Sequence, residues 1–518
     1  MVKFFNRPRP VLLLAMDGVG VAPPGPGNAV TLANTPFLDK LWPTYPHTYL
    51  KAAGLDVGLP HGVDGNSEVG HMNIGAGKVI YQDLPRIDLA IKDNTFFKNP
   101  TIIKGIEQMK EKKTNLHVMG LIGGGQVHSS LSHMLNLIKL LSQEKVPGER
   151  VFVHVFTDGR DSPPKNAGEY IQQLEMQMKA KGIGKIVSLV GRYYAMDRDE
   201  RWDRTKKAYD LIANGIGKKV NSWIDGVEES YSQNKNDEYI EPYTILEGGE
   251  EQPGVNAGDV IMFINFRADR AIQLTQAFED DNFIGFEREK IADLCFIGMT
   301  EYEKGFPRKP AFPPEHITNP LGKVISDNNM RQLRISESEK FPHVTYFLDC
   351  GNEEIYPGED RIEVPSPKDV ATYDQKPEMS AELVADILIQ KIDEGAYDFI
   401  AVNFANPDMV AHTGVLEASI KAMEVTDSIV GRIVNKVLEK KGAVLITSDH
   451  GNCEELIDMQ TGGVDTKHST NPVPLIIVKE GEVPRELTVG ILADIAPTIL
   501  AILGIQKPPS MIGRNLLI

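Results

Sequence analysis

The 518-residue chain contains only three cysteines, Cys295, Cys350 and Cys453. No disulfide framework can be built from them, and a reducing compartment is expected. Long apolar runs are also missing. VLLLAM (11–16) has six residues, shorter than the apolar core of a secretory signal and far short of the ~20 residues that cross a bilayer. No stretch reads as a signal peptide, so a cytoplasmic location is expected. Positive charge is scarce: 55 Lys and Arg stand against 72 Asp and Glu, a net charge of -17. Such a balance repels nucleic acid and anionic membranes in bulk. An anionic substrate would need a local basic cluster. The glycine-rich GLIGGGQVHSS (120–130) lacks the GK[ST] ending of a phosphate-binding loop. No internal repeat stands out.

What is present fits a soluble globular protein, with 41% hydrophobic and 25% charged residues. Its length exceeds that of one hydrophobic core, so two or more domains are expected. Apolar runs ending in polar or glycine residues recur: PVLLLAMDGVG, LHVMGLIGGG, VFVHVFTDGRD, IVSLVGRYY, VIMFINFRADR, DLCFIGMT, VTYFLDCG, FIAVNFANPD, AVLITSDHGN and PVPLIIV. Helix-like segments fall between them at 101–112, 166–181, 202–214, 379–395, 416–440 and 490–503. Strands alternating with helices predict an α/β fold with helices on both faces of the sheets. Ligands of such sheets collect beyond the carboxyl ends of the strands. The Pro-rich span 302–320 reads as a linker, and the polar segment 227–259 as surface loop with a short strand at YTIL.

Chemistry-bearing residues follow the strand runs. Asp17 ends the first, and Asp449 and His450 follow AVLITS. Carboxylate and imidazole together suit Zn²⁺ or Mn²⁺; the bland alternative for a strand-end acid is a turn or cap. Asp408 and His412 are four apart after Pro407, and on a helical turn they share one face. His468 lies in the polar loop VDTKHSTNPVP, where a lone histidine is ordinarily surface. VDGNSEVGHMNIGAG (63–77) holds one serine, Ser67, with no base nearby in sequence. A serine hydroxyl needs a base or a metal to become a nucleophile. A two-metal site would clamp the attacking and leaving oxygens of a phosphoryl transfer and activate Ser67.

The combination of DGVG (17–20), DGNSEVGH (64–71), NPDMVAHTG (406–414), SDHGN (448–452) and KHSTNPVP (467–474) resembles the alkaline phosphatase superfamily. Within it, the chain is similar to the 2,3-bisphosphoglycerate-independent phosphoglycerate mutases. TDGRDSPP (157–164), GRYYAMDRD (191–199) and FRADR (266–270) extend the likeness over almost the whole chain. The resemblance implies a metal-binding phosphatase-like domain in two parts, 1–81 and 316–518, interrupted by a phosphotransferase or substrate-binding domain at 82–315. It implies two divalent ions, Mn²⁺ before Zn²⁺ or Co²⁺, and no 2,3-bisphosphoglycerate. One ion would take Asp408, His412 and His468, and the other Asp17, Ser67, Asp449 and His450. Ser67 would become a phosphoserine, and Lys340 would lie near it. His128, Arg160, Asp161, Arg192, Arg198, Arg267 and Arg270 would hold the substrate, with Asp161 as acid and base. Val19 stands where many members have Trp, Ala411 where Gly is common, and DCGNEE (349–354) lacks the usual paired glycines.

The implied activity is an isomerase that interconverts 3-phosphoglycerate and 2-phosphoglycerate. Its partners would be that small substrate alone, with no nucleic acid or membrane, and the chain would be a monomer. The arginines make independent sense, because a planar fork of donors suits phosphate and carboxylate. Surface ion pairing is the rival reading, since an Asp lies close to each in sequence. Other rivals are a different metal-dependent phosphomutase or phosphatase of the superfamily, and a non-catalytic metal-binding protein.

Overall fold

The computed structural model describes residues 7–246, 249, 253–458, 461–481 and 487–518. The chain divides into two compact units, one of residues 1–82 with 316–518 and one of residues 83–315. Each is an α/β unit around its own eight-stranded sheet.

In the first unit the strand order is Glu359–Val364, Gln332–Glu337, Phe399–Phe404, Val11–Met16, Ala443–Thr447, Val473–Lys479, His47–Lys51, Gly490–Ile491. The first five are parallel. Val473–Lys479 is antiparallel to both neighbours. Val11–Met16, Phe399–Phe404 and Ala443–Thr447 are buried throughout, because helices cover both faces of a parallel sheet. That is why they read as near-continuous apolar runs. Register aligns their ends: Val11 faces Phe399 and Ala443, so Met16 lies beside Phe404 and Ala15 beside Thr447. The residues after these strands therefore emerge together.

The second unit has the order Lys309–Phe312, Cys295–Thr300, Val260–Phe263, Leu116–Ile122, Val151–Thr157, Lys185–Gly191, Tyr243–Ile245, Lys218–Val220. Its first six strands are parallel. Two apolar cores cover the faces, one under the helices Pro100–Lys112, Leu131–Gln143 and Ala167–Lys181 and one under Trp202–Asn214 and Ile272–Glu279.

Three expectations from the sequence are corrected. VTYFLDCG is not a strand: His343–Phe347 forms a wide helical turn, with the Leu348 N–H donating to the His343 carbonyl at 3.1 Å. Its buried Val344 and Leu348 are four apart, a helical spacing, and Cys350 beyond it sits at φ +57°. The Pro-rich span 302–320 contains the edge strand Lys309–Phe312. Pro310 is tolerated there because an edge strand leaves one row of amides unpaired. The polar segment 227–259 starts inside the helix Trp223–Ser232 and not in a loop, while the strand expected at YTIL is present as Tyr243–Ile245; positions 247, 248 and 250–252 lie outside the described residues.

Candidate active site

The motif around Ser67 forms the helix Ser67–Ala76. Asn66 caps it, its side chain accepting from the Val69 N–H at 2.9 Å, and Gly77 ends it at φ +60°. Two further glycines let the helix lie on the strand ends. A Cβ at Gly70 would stand 2.5 Å from the Asp449 carbonyl oxygen, and one at Gly75 would stand 1.8 Å from that of Leu348. Ser67 is the first helical residue, so its hydroxyl sits where the helix dipole favours negative charge.

Three other segments converge on that hydroxyl. Lys340, just beyond Gln332–Glu337, donates to Ser67 Oγ at 2.7 Å, to Asp17 Oδ1 at 2.8 Å and to Asp408 Oδ2 at 2.6 Å. His450 Nε2 lies 2.9 Å from Ser67 Oγ, and Ser67 donates to Asp17 Oδ1 at 3.2 Å. Asp17, Asp449 and His450 are fully buried. Burial works against charge on Lys340, but Asp17, Asp408 and Asp449 outweigh it and hold its pKa well above the usual lysine range. The same opposition pushes His450 up to about 10, burial losing to Asp449 and Asp408. Asp408 and Asp449 are held well below the usual carboxylate range despite burial, Asp408 by Lys340 first and Asp449 by His450.

His412 and His468 form the more open side, with side-chain exposures of 39% and 19%. Their Nε2 atoms lie 3.4 and 3.5 Å from Asp408 Oδ1 and 3.1 Å from each other. A hydrogen bond donated to the Asp408 carboxylate raises the pKa of His412.

These residues fit divalent metal ions on the chemistry of the donor set. His412 Nδ1 faces the Thr466 carbonyl at 2.9 Å, His468 Nδ1 that of Gly65 at 2.8 Å and His450 Nδ1 that of Gly451 at 3.2 Å. An Nδ1–H spent on a carbonyl leaves Nε2 as the ligating atom, which is the usual support for a metal-bound histidine. All three Nε2 atoms point at the carboxylates. Asp408, His412 and His468 can converge on one ion, and Asp17, Asp408 and His450 on another, so Asp408 reaches both groups. Asp449 completes the neighbourhood, its Oδ2 buried without a hydrogen bond and 3.7 Å from His450 Nε2.

Several supports lie outside the expected ligand set. His71 Nδ1 lies 2.9 Å from the Ser67 carbonyl and 3.3 Å from Asp449 Oδ2. Asn403 donates to Asp17 Oδ2 at 2.6 Å, and Asn452 to Asp408 Oδ1 at 2.7 Å. Only His71 left a signal, standing four residues after Ser67 and hence on the same helical face.

In the second unit the seven expected substrate residues gather beyond the carboxyl ends of Leu116–Ile122, Val151–Thr157, Lys185–Gly191 and Val260–Phe263. Buried Arg192 donates to Asp158 at 2.6 Å and to Asp161 at 2.5 Å. His128 lies 3.7 Å from Asp161 and 3.6 Å from Asp269. Asp269 also pairs with Arg198 at 2.9 Å and Arg267 at 3.2 Å. Arg160 reaches Glu238 at 3.6 Å. Burial and Arg192 push His128 down to about 4, so it is neutral at pH 7. Burial, then Arg192, Arg198 and Arg160, lower the pKa of Arg270, which marks a crowd of positive charge. Asp158, which the sequence did not single out, shapes TDGRD by accepting from the Asp161 N–H at 3.1 Å and Ser162 Oγ at 2.7 Å. The triple glycine at 123–125 serves close approach: a Cβ at Gly123 would stand 2.8 Å from Asp158 Oδ2, and one at Gly125 2.2 Å from the Asp161 carbonyl oxygen. Arg204 instead stacks over Tyr193 at 3.8 Å and pairs with Asp197 at 3.4 Å.

The first unit is thus an α/β fold whose mostly parallel sheet delivers carboxylates, imidazoles and a helix-borne serine at its carboxyl edge. Residues 87–304 match the family described as BPG-independent PGAM N-terminus (iPGM_N). The 2,3-bisphosphoglycerate-independent phosphoglycerate mutase of Clostridium botulinum is 49% identical over 98% of this chain and 99% of its own. That of Chloroflexus aurantiacus is 47% identical over 99% of both. A solved structure of Leishmania mexicana phosphoglycerate mutase, obtained at low cobalt concentration, is 28% identical, with a TM-score of 0.53 over 99% of this chain and 98% of that one. The chain belongs to the family of 2,3-bisphosphoglycerate-independent phosphoglycerate mutases.

Proposed function

We propose that the chain interconverts 3-phosphoglycerate and 2-phosphoglycerate, without 2,3-bisphosphoglycerate, through a phosphoserine at Ser67. The observation that carries this is the setting of the Ser67 hydroxyl, in contact with Lys340, His450 and Asp17 at a helix N-terminus. Two divalent ions, assigned as Mn²⁺ and held by Asp408, His412 and His468 and by Asp17, Ser67, Asp449 and His450, would act as Lewis acids and lower the pKa of the serine. Lys340 offsets charge on Ser67 Oγ and on the phosphoryl oxygens. Asp17 is placed to accept the hydroxyl proton. The Oγ–P bond forms as the bond from phosphorus to the glycerate oxygen breaks, and Asp161 supplies the proton to that oxygen. The arginines of residues 82–315 hold the glycerate by its carboxylate; its other hydroxyl then bonds to phosphorus as the Oγ–P bond breaks, Asp161 removing the proton of that hydroxyl and Asp17 returning its proton to Ser67 Oγ. This division assigns metal binding to residues 1–81 with 316–518, and substrate binding to 82–315.

The reaction serves glycolysis and gluconeogenesis, and we place the enzyme in the cytoplasm as a monomer. All three cysteines are free thiols, and no helix among the described residues is long and apolar enough to cross a membrane. The test is mutase activity with Mn²⁺ and no added 2,3-bisphosphoglycerate, with mapping of the phosphopeptide. Label on residues 63–77 and an inactive, folded Ser67→Ala are expected. Label on another residue with active S67A refutes the serine mechanism, and release of phosphate without isomerisation points to a phosphatase.

A further inference from the structure

Glu454 lies outside every motif that marks the site, yet three of those motifs meet at its carboxylate. It is buried, with 3% exposure. Oε2 accepts the backbone N–H of Gly20 at 2.9 Å and that of Asn452 at 2.9 Å. Oε1 accepts the Ser469 hydroxyl and, at 3.1 Å, the Asn471 amide. Gly20 closes the loop after Asp17. Asn452 closes the loop of Asp449 and His450. Ser469 and Asn471 follow His468. Four donors engage the carboxylate, two backbone amides, a hydroxyl and a side-chain amide, so Glu454 is taken up in holding loops.

The glycines of DGVG and SDHGN leave room for it. A Cβ at Gly20 would stand 2.3 Å from the Glu454 carboxyl group, and one at Gly451 would stand 2.4 Å from its Oε1. In both motifs the glycine thus makes space for a residue that neither motif contains.

We propose that Glu454 is a positioning residue that fixes the spacing of the two metal-ligand groups, by tying the loops of Asp17, of Asp449 and His450, and of His468 to one carboxylate. The inference rests on the two-metal reading above. Supports outside the ligand set typically change metal affinity by about 10- to 100-fold when removed. Because the loops belong to both groups, Glu454→Ala should weaken both ions by that factor, whereas His412→Ala should weaken one. Glu454→Gln should recover most of the affinity. Its amide oxygen can meet the Gly20 and Asn452 N–H groups and its NH₂ can donate to the Ser469 hydroxyl, so that of the four donors only the Asn471 amide loses its acceptor.

The experiment is titration of the metal-free full chain with Mn²⁺, with free Mn²⁺ read from its electron paramagnetic resonance signal. Wild type, E454A, E454Q, H412A, H450A and the exposed neighbour variant E455Q are compared, with circular dichroism to confirm folding. E455Q should match wild type. A folded E454A that binds both ions at wild-type affinity, while H412A and H450A each lose an ion, overturns the proposal. E454Q as weak as E454A refutes the hydrogen-bond account. If E454A does not fold, Gly20→Ala presses on the same carboxylate from the loop side, and wild-type affinity there is equally fatal. A wild type that takes up no Mn²⁺ sinks the two-metal reading and this inference with it.

Discussion

Gly70→Ala adds one methyl group to the face of the serine helix that lies on Asp449. The new Cβ would stand 2.5 Å from the Asp449 carbonyl oxygen and 2.9 Å from the Asp449 Cβ, whereas ordinary contact begins at 3.4 Å. Helix or loop must therefore retreat by about 0.9 Å, and either movement separates Ser67 from a ligand-bearing loop. Two terms set the stability change. Alanine is the better helix former by roughly 0.5–1 kcal/mol, and overpacking costs about 1–3 kcal/mol. The net loss should be about 2 kcal/mol or less. Activity should suffer more, because a displacement of ~1 Å at a reacting group can cost ~100-fold. The assay pairs mutase turnover at saturating Mn²⁺ with chemical denaturation, using Glu68→Ala on the exposed face of the same helix as control. A folded G70A with turnover within about twofold of wild type, a difference near 0.4 kcal/mol, would refute the view that this contact positions Ser67.

His412→Ala or His468→Ala should remove one ion, and Asp449→Ala or His450→Ala the other; elemental analysis after dialysis should show it. With His450 pushed up to about 10 in the metal-free protein, its charge stabilises the fold fully below its unfolded value of about 6.5, and that contribution fades as pH rises through 10. Metal-free protein should thus lose stability from pH 7 to 10. Added Mn²⁺ should stabilise more as pH rises, because metal and proton compete for the imidazole; thermal unfolding with EDTA or Mn²⁺ reads both. By the same competition, activity at limiting Mn²⁺ should fall from about pH 8 to about pH 6. Arg267→Ala and Arg270→Ala should each cost roughly 1.5–3 kcal/mol if the lost bond is to an anion, about one to two decades of isomerisation, with a larger share of substrate lost as phosphate.

Strands buried on both faces were legible because they are almost wholly apolar, with single polar residues such as Asn403, His117 and His154 inside them. Gln332–Glu337 and Glu359–Val364 were not, although they form one side of the same sheet. They carry Arg334, Glu337, Glu359 and Arg361. Arg334 is completely buried and donates to Gln332 Oε1 at 2.8 Å, with Asp349 at 3.5 Å. A buried ion cluster looks like surface when read as sequence. The same limit governs the site. Residues at strand ends could be picked out because parallel strands deliver them to one edge. Their supports could not: Asn403 reaches Asp17 across 386 positions and Asn452 reaches Asp408 across 44. Such pairs follow from sheet order and register, which no local pattern encodes.

The arginine cluster shows what a list of residue types leaves out. Arg192 is neutralised by Asp158 and Asp161, and Arg198 and Arg267 share Asp269. Arg270 is placed differently. The hydrogen bond it donates goes to a backbone carbonyl, Met196 O, at 3.1 Å. Burial and three neighbouring arginines lower its pKa, and the opposing pull of Asp269 is smaller than any of these. A guanidinium crowded by like charge is relieved when an anion arrives, so its interaction with the anion exceeds that of an arginine already paired. Arg267, half-exposed and beside Asp269, gains less. The loss on substitution should therefore be larger for Arg270→Ala than for Arg267→Ala, and both should shrink at high salt, more steeply for the exposed Arg267, where screening is stronger. Equal losses with equal salt dependence would mean that the two side chains act only as bulk positive charge, and that the pairing around Asp269 has no bearing on how the anion is held.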